Sequence, residues 1–218
     1  MTTIIIADDH ELVRESVASL LREVPNFDVV SQCENGRQLL KEVEHLRPNV
    51  VVIDITMSGL NGIEAARQIR KISPATRVVT LSVHAEETYI REMLEAGISG
   101  YVVKSGAAAD LVAAIRSGSR GKVYFSREIS DTARKIQNKQ SGFRHKNTCS
   151  PEKSLTPRER EILQLIGEGC SSVEIAEKLH IEASTVKTHR NNLMDKLEVR
   201  DVAGLTRNAI RLKLVYVE

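Results

Sequence analysis

Apolar residues along this chain follow two rhythms in turn. Over residues 3–117, short runs with little polar interruption alternate with longer stretches whose apolar positions recur every three or four residues. The short runs are Thr3 to Ala7, Phe27 to Ser31, Val50 to Asp54, Arg77 to Ser82 and Gly100 to Val103. Apolar runs bounded by turn residues predict strands buried on both faces. The longer stretches, such as Val13, Val17, Leu20, Leu21 and Val24, or Ile63, Ala66 and Ile69, predict amphipathic helices. Strands alternating with helices in this way predict an α/β domain, a five-stranded parallel sheet covered by helices on both faces. The rhythm stops after Ile115 at a Ser-Gly-Ser-Arg-Gly stretch, which ends a first domain over 1–120.

Residues 121–154 read as a linker with a short helix. From Ser126 to about Asn138, Ile129, Ala133 and Ile136 share one helical face. Lys139 to Ser154 is polar, basic and nearly free of aliphatic residues, a composition that predicts a flexible connection. Helical spacing resumes over 155–218 in four segments. Leu155-Thr156-Pro157-Arg158-Glu159 is a start signal, with a Thr cap and Pro at the first helical position. Further starts lie at Ser171-Ser172 and at Glu182-Ala183-Ser184-Thr185, and the two short helices they open predict a helix-turn-helix. The last helix, Asp201 to Leu214, carries Val202, Leu205, Ala209 and Leu212 along one side. That stripe either packs on its own domain or pairs with a second copy.

Composition narrows the function classes. With 41% hydrophobic and 28% charged residues the chain has a globular composition, and no apolar stretch is long enough to cross a bilayer. No signal peptide is visible, so a cytoplasmic location is expected. Cys33, Cys149 and Cys170 are scattered without metal-ligand spacing, which fits a reducing compartment and no zinc site. The net charge of +2 is unevenly spread: −4 over 1–117, +6 over 118–154 and zero over 155–218. A basic middle segment adds nonspecific attraction to a polyanion, and its neighbours need different partners.

Chemistry gathers at the strand ends. Asp8 and Asp9 follow the first predicted strand, Asp54 ends the third, Ser82 the fourth, and Lys104 follows the fifth. A parallel sheet collects such residues at its carboxyl edge. There Asp54 can attack phosphorus, Asp8 and Asp9 can hold a hard divalent cation such as Mg2+, and Lys104 and the Ser82 hydroxyl can bind phosphoryl oxygens. His10 and His84 lie near in sequence and read as packing or surface residues.

Asp8-Asp9, Asp54, Ser82 and Lys104, with Tyr101 three residues before the lysine, resemble the receiver domain of two-component response regulators, which implies a flavodoxin-like sheet. Leu155 to Leu163, with Glu174-Ile175-Ala176 and Ser184 through His189, resembles the LuxR-type DNA-binding domain, and the two together resemble the NarL/FixJ class. The resemblance implies that a sensor histidine kinase phosphorylates Asp54. It implies magnesium on Asp9, Asp54, the backbone carbonyl of Thr56 and, directly or through water, Asp8. It makes Ser82 and Tyr101 the switch pair, although Tyr101 also reads as a half-buried aromatic with its hydroxyl in water. Lys187, Thr188 and Asn191 become base contacts on operator DNA, Ser184 and Thr185 phosphate contacts, and Arg190 either. It also implies a phosphorylation-dependent homodimer, for which Val202, Leu205 and Ala209 of the last helix's stripe are the candidate contacts, and a regulator rather than an enzyme.

Two positions depart from the family pattern. Ser58 and Ser105 stand where proline is frequent, and Ser58 leaves the loop after Asp54 less constrained. Two other readings compete. A haloacid-dehalogenase phosphatase requires a second acid two residues after its nucleophile, where this chain has Thr56. A regulator indifferent to phosphorylation keeps only the helix-turn-helix in use.

Overall fold

The apolar runs of the first half do pair into one parallel sheet, and its strand order explains where the acids meet. The computed structural model describes residues 1–106, 108–142 and 155–215, with side chains omitted over 138–142. The chain divides into two units, Met1–His145 and Lys146–Glu218. The first unit runs β1 (Thr2–Ala7), α1 (Glu11–Arg22), β2 (Phe27–Cys33), α2 (Gly36–Leu46), β3 (Val50–Ile53), α3 (Gly62–Ile72), β4 (Arg77–Ser82), α4 (Glu87–Ala96), β5 (Gly100–Val103) and α5 (Ala108–Ser119), then β6 (Tyr124–Phe125), a 3-10 turn at Arg127–Ile129 and α6 (Ser130–Gly142).

Strands stand in the order β2-β1-β3-β4-β5-β6, all parallel. The chain leaves β1 toward β2 on one side and reaches β3 on the other. Such a reversal opens a crevice beyond the carboxyl ends of β1 and β3. Ala7 is in register with Ile53, so Asp8 and Asp54 emerge side by side. Ile4, Ile6, Val50, Val52, Val79 and Val102 share a core with Leu21 of α1 and Leu111 and Ile115 of α5. The intervening Ile5, Val51 and Ile53 are equally buried, on the opposite side of the pleat. Both faces are therefore dry, as continuous apolar strands require.

Beyond α5 the structure differs from the sequence expectation in two ways. The sheet has a sixth strand, in which Gly100 and Tyr101 pair with Tyr124 and Phe125. The helix expected to stand in a linker packs against α4 instead, with Ile129, Ala133 and Ile136 buried. It also continues past Asn138 to Gly142. The remainder of the segment expected to be flexible, 143–154, lies outside the described residues.

The second unit contains α7 (Pro157–Gly167), α8 (Ser172–Leu179), α9 (Ala183–Lys196) and α10 (Val202–Arg211). Its core joins Ile162, Leu163 and Ile166 to Ile175, Val186, Leu193, Leu205 and Ala209. Leu205 and Ala209, expected at a dimer contact, are fully buried inside their own unit, where α10 lies on α7. Of that stripe Val202 is exposed, as is Ile210 nearby.

The start of α7 is pinned to the end of α9. Glu159 Oε2 accepts from the Thr156 backbone N–H at 2.8 Å, the Thr156 hydroxyl at 3.0 Å and Lys196 Nζ at 2.9 Å. Burial pushes the Glu159 pKa up, but Lys196 and Thr156 outweigh it and hold the carboxyl below its usual range. A lowered folded-state pKa contributes stability above the unfolded value, and that stability is lost as pH falls through the folded one. Glu159→Gln is expected to cost about 1–2 kcal/mol at neutral pH by weakening the cap and the charge-assisted bond. Thermal unfolding read against pH should show the gap between wild type and variant closing below about pH 4.5.

Candidate functional site

Four groups meet at the reversal crevice. Asp54 is 2% exposed and Asp8 is 3% exposed, and both reach the single ammonium of Lys104. Lys104 Nζ lies 2.7 Å from Asp8 Oδ2 and 3.1 Å from Asp54 Oδ2. Pairing of β5 with β4 delivers the lysine, whose backbone N–H donates to the Ser82 carbonyl at 2.8 Å. Asp54 Oδ1 accepts from the Ile55 N–H at 2.8 Å, and Oδ2 accepts from the Thr56 hydroxyl at 3.0 Å. Asp9 is more exposed, and its Oδ2 accepts from the Ser58 N–H at 3.3 Å. A proline at position 58 has no N–H to give, so the serine supplies an extra tie between this loop and Asp9.

The electrostatics show a surplus of negative charge. Burial and the neighbouring Asp8 raise the Asp54 pKa, and Lys104 only partly counters them. Burial disfavours the Lys104 ammonium, yet the two carboxylates outweigh it and raise its pKa above the usual lysine range. One cation between two buried acids, with a third acid at the mouth, leaves charge that a divalent ion can neutralise. Ligand atoms of Asp8, Asp9, His10 and Asp54 all lie within 4.8 Å of one another. The carboxylate oxygens of this cluster fit a hard cation.

His10, expected as a packing or surface residue, stands at the exposed edge of this group. Its ring Nδ1 lies 3.0 Å from Asp9 Oδ1 and 3.3 Å from Asp8 Oδ1, with the side chain 67% exposed. Its position directly after the two acids was the only signal for it.

Ser82 and Tyr101 are completely buried. The Ser82 hydroxyl accepts from the His84 N–H at 3.2 Å, and the Tyr101 hydroxyl donates to the His84 carbonyl at 2.7 Å. Tyr101 is therefore turned inward, not half-buried with a wet hydroxyl, and burial pushes its phenol well above the ordinary value. The His84 ring stacks on Tyr89 with centroids 4.3 Å apart. Cys33 is buried, with its thiol pushed up to about 12, which makes it unreactive. Cys170 is half-buried, Lys178 Nζ donates to its sulfur at 3.3 Å, and Cys149 lies outside the described residues.

In the second unit Ser184, Thr185, Lys187, Thr188 and Asn191 are exposed on α9. Glu182, at the cap position of that helix, makes no side-chain capping bond. The first amides of α9 remain suited to an anion. Arg190 differs: its guanidinium donates to the Ser172 hydroxyl at 2.7 Å, which ties it to the start of α8. Ser172, Ala183, Ser184, Lys187, Arg190, Asn191 and Met194 line a surface hollow of about 530 Å³.

A receiver-type acceptor pocket on one unit and a helix-turn-helix on the other define a response regulator. Residues 4–116 match the response regulator receiver domain, and residues 153–209 match the bacterial regulatory proteins of the luxR family. Transcriptional regulatory protein DegU of Brevibacillus brevis is 35% identical over 208 residues, covering 91% of this chain and 88% of that protein. Response regulator protein VraR of Staphylococcus aureus is 35% identical over 198 residues, 91% of each. A structure of the Salmonella typhimurium RcsB response regulator is 26% identical over 96% of this chain and 98% of its own, with a TM-score of 0.57. RcsB is also matched as a DNA complex, at 27% identity, 94% and 96% coverage and a TM-score of 0.58. The chain belongs to the LuxR-type response regulators of the NarL/FixJ class. No helix among the described residues is long and apolar enough to cross a membrane.

Proposed function

We propose that the chain is a cytoplasmic transcription regulator switched by phosphorylation of Asp54. The buried Asp54 carboxylate, set between Asp8 and Lys104, carries this reading. An Asp54 oxygen attacks the phosphorus of a phosphohistidine on a sensor kinase. The new O–P bond forms as the P–N bond breaks, and the imidazole leaves with the electron pair. Asp8, Asp9, Asp54 and the Thr56 carbonyl would hold a magnesium ion, which would supply positive charge to offset the acids and the phosphoryl oxygens. Lys104 pairs with a phosphoryl oxygen, and Ser82 donates its hydroxyl to another once it is released from the His84 amide. Tyr101, whose hydroxyl already holds the His84 carbonyl, is the second half of the switch and responds when Ser82 leaves the His84 amide. The protein serves as acceptor and not as an enzyme on a separate substrate.

The output is DNA binding by a dimer. Lys187, Thr188 and Asn191 meet base edges, while Ser184, Thr185 and the tethered Arg190 meet phosphates. The dimer contact on α10 uses Val202 and Ile210, since Leu205 and Ala209 are committed to the core. Incubation with a small phosphodonor and magnesium should add one phosphoryl group to Asp54 by peptide mass, shift the protein toward dimer and raise its affinity for operator fragments selected from genomic DNA. Phosphoryl uptake with unchanged size and DNA affinity would refute the switch and leave a regulator indifferent to phosphorylation. Lys187→Ala should weaken operator binding roughly tenfold to a hundredfold, measured by gel shift.

A further inference from the structure

One side chain at the rim of the acidic pocket has no part in the phosphoryl chemistry. The ring Nδ1 of His10 stands 3.0 Å from Asp9 Oδ1 and 3.3 Å from Asp8 Oδ1. The second oxygen of each acid is engaged elsewhere: Asp8 Oδ2 pairs with Lys104 at 2.7 Å, and Asp9 Oδ2 accepts the Ser58 N–H at 3.3 Å. Those bonds leave Oδ1 of each acid beside the imidazole. The backbone fixes the same arrangement, since the His10 N–H donates to Asp8 Oδ1 at 2.9 Å. Ligand atoms set at right angles, each about 2.1 Å from one ion, stand about 3 Å apart. Two carboxylate oxygens and one imidazole nitrogen are therefore spaced as adjacent ligands of a single cation. With Asp54 included, the four ligand atoms still lie within 4.8 Å of one another.

We propose that His10 is a nitrogen ligand of the cation site and sets its metal preference, so that the pocket holds a borderline transition ion such as Mn2+ more tightly than Mg2+. The inference rests on the acidic pocket being a cation site. Oxygen ligands alone serve Mg2+, a hard ion that gains little from imidazole. Affinity for a mixed nitrogen and oxygen set rises along the first transition row from manganese onward. The ring can present the Nδ1 lone pair while its proton sits on Nε2, and with the side chain 67% exposed that N–H is left to water. Without an ion, the other tautomer donates Nδ1–H to the acids. Binding exchanges that hydrogen bond for a metal bond, Nδ1 giving its proton to water and Nε2 taking one up.

Isothermal titration of the full-length chain with manganese chloride and with magnesium chloride, joined to pulsed EPR of the manganese complex, tests this. Mn2+ should bind more tightly than Mg2+ by about tenfold or more. His10→Ala, at an exposed position, should weaken Mn2+ about tenfold and leave Mg2+ within about twofold. The wild-type EPR signal should carry a modulation from one imidazole nitrogen, and His10→Ala should lack it. Asp9→Asn should weaken both ions, which places them in the acidic pocket and not on another histidine. Equal weakening of the two ions by His10→Ala, or a nitrogen modulation that is absent from the wild type or survives in His10→Ala, would overturn the proposal and leave the acidic cation site standing. Failure of both ions to bind, or unchanged binding of both in Asp9→Asn, would overturn the cation site and the proposal with it.

Discussion

Asp54→Asn is expected to abolish phosphoryl uptake and at the same time make the receiver more stable. The first effect follows from chemistry, because the amide offers no nucleophilic carboxylate oxygen. The second follows from burial. Asp54 is 2% exposed, and its pKa is raised by desolvation first and by Asp8 further, against the pull of Lys104. A raised folded-state pKa contributes stability only below the unfolded value near 3.8, and that contribution is lost as pH rises through the folded value. At neutral pH the ionised, buried carboxylate is therefore a standing cost. Asparagine keeps the shape and removes the charge, while Lys104 keeps Asp8 at 2.7 Å. The expected gain is about 1 kcal/mol, or roughly 3 °C in a melting experiment on a unit of this size. The advantage of the variant should shrink as pH falls toward 4 and should be largest without magnesium, since the cation offsets the same repulsion in the wild type. A variant that melts lower than wild type at pH 7 without magnesium would mean that the Asp54–Lys104 pair is net stabilising.

Much of this site was legible in the sequence because a parallel sheet converts distant strand ends into neighbours. Once the apolar runs ending at Ala7 and Ile53 are read as adjacent strands, Asp8 and Asp54 must stand side by side. Lys104 and Ser82 follow from the same rule applied to β5 and β4. Elsewhere periodicity named a face but not what covers it. The stripe containing Leu205 and Ala209 fits an outward contact as well as an inward one, and the core of the second unit takes it. The segment carrying Ile129, Ala133 and Ile136 has only that narrow apolar edge, so its composition suggests a tether. The structure uses that edge to pack α6 on α4. β6 is two residues long, too short for any pattern to announce. His10 and Arg190 show a further limit. Their partners, the two acids and Ser172, are fixed by local geometry that residue spacing does not encode.

Gly62→Ala is expected to damage both stability and acceptor chemistry, although residue 62 has no side chain in the pocket. Gly62 opens α3, and its N–H donates to the Ile55 carbonyl at 2.9 Å, which draws the helix start against the backbone that carries Asp54. A Cβ at this position falls 2.0 Å from the Asp54 carbonyl oxygen, 2.9 Å from its carbon and 3.0 Å from the Ile55 Cα. All three are main-chain atoms, so no rotamer change relieves the contact. Either α3 or the segment after β3 has to move, and close-packed interiors resist such shifts. The expected loss is about 3 kcal/mol, near 10 °C in melting temperature. Phosphoryl uptake from a small donor should slow roughly a hundredfold, because displacement of a reacting group by about an ångström has effects of that order. Gly59→Ala is the control in the same loop. Gly59 has φ +77°, but its added Cβ meets nothing within 4 Å, so only the backbone conformation opposes the change. That variant should lose about 1 kcal/mol and keep near-normal uptake. If Gly62→Ala behaved like Gly59→Ala in both measurements, close approach of α3 to the acceptor strand would not be what holds Asp54 in place.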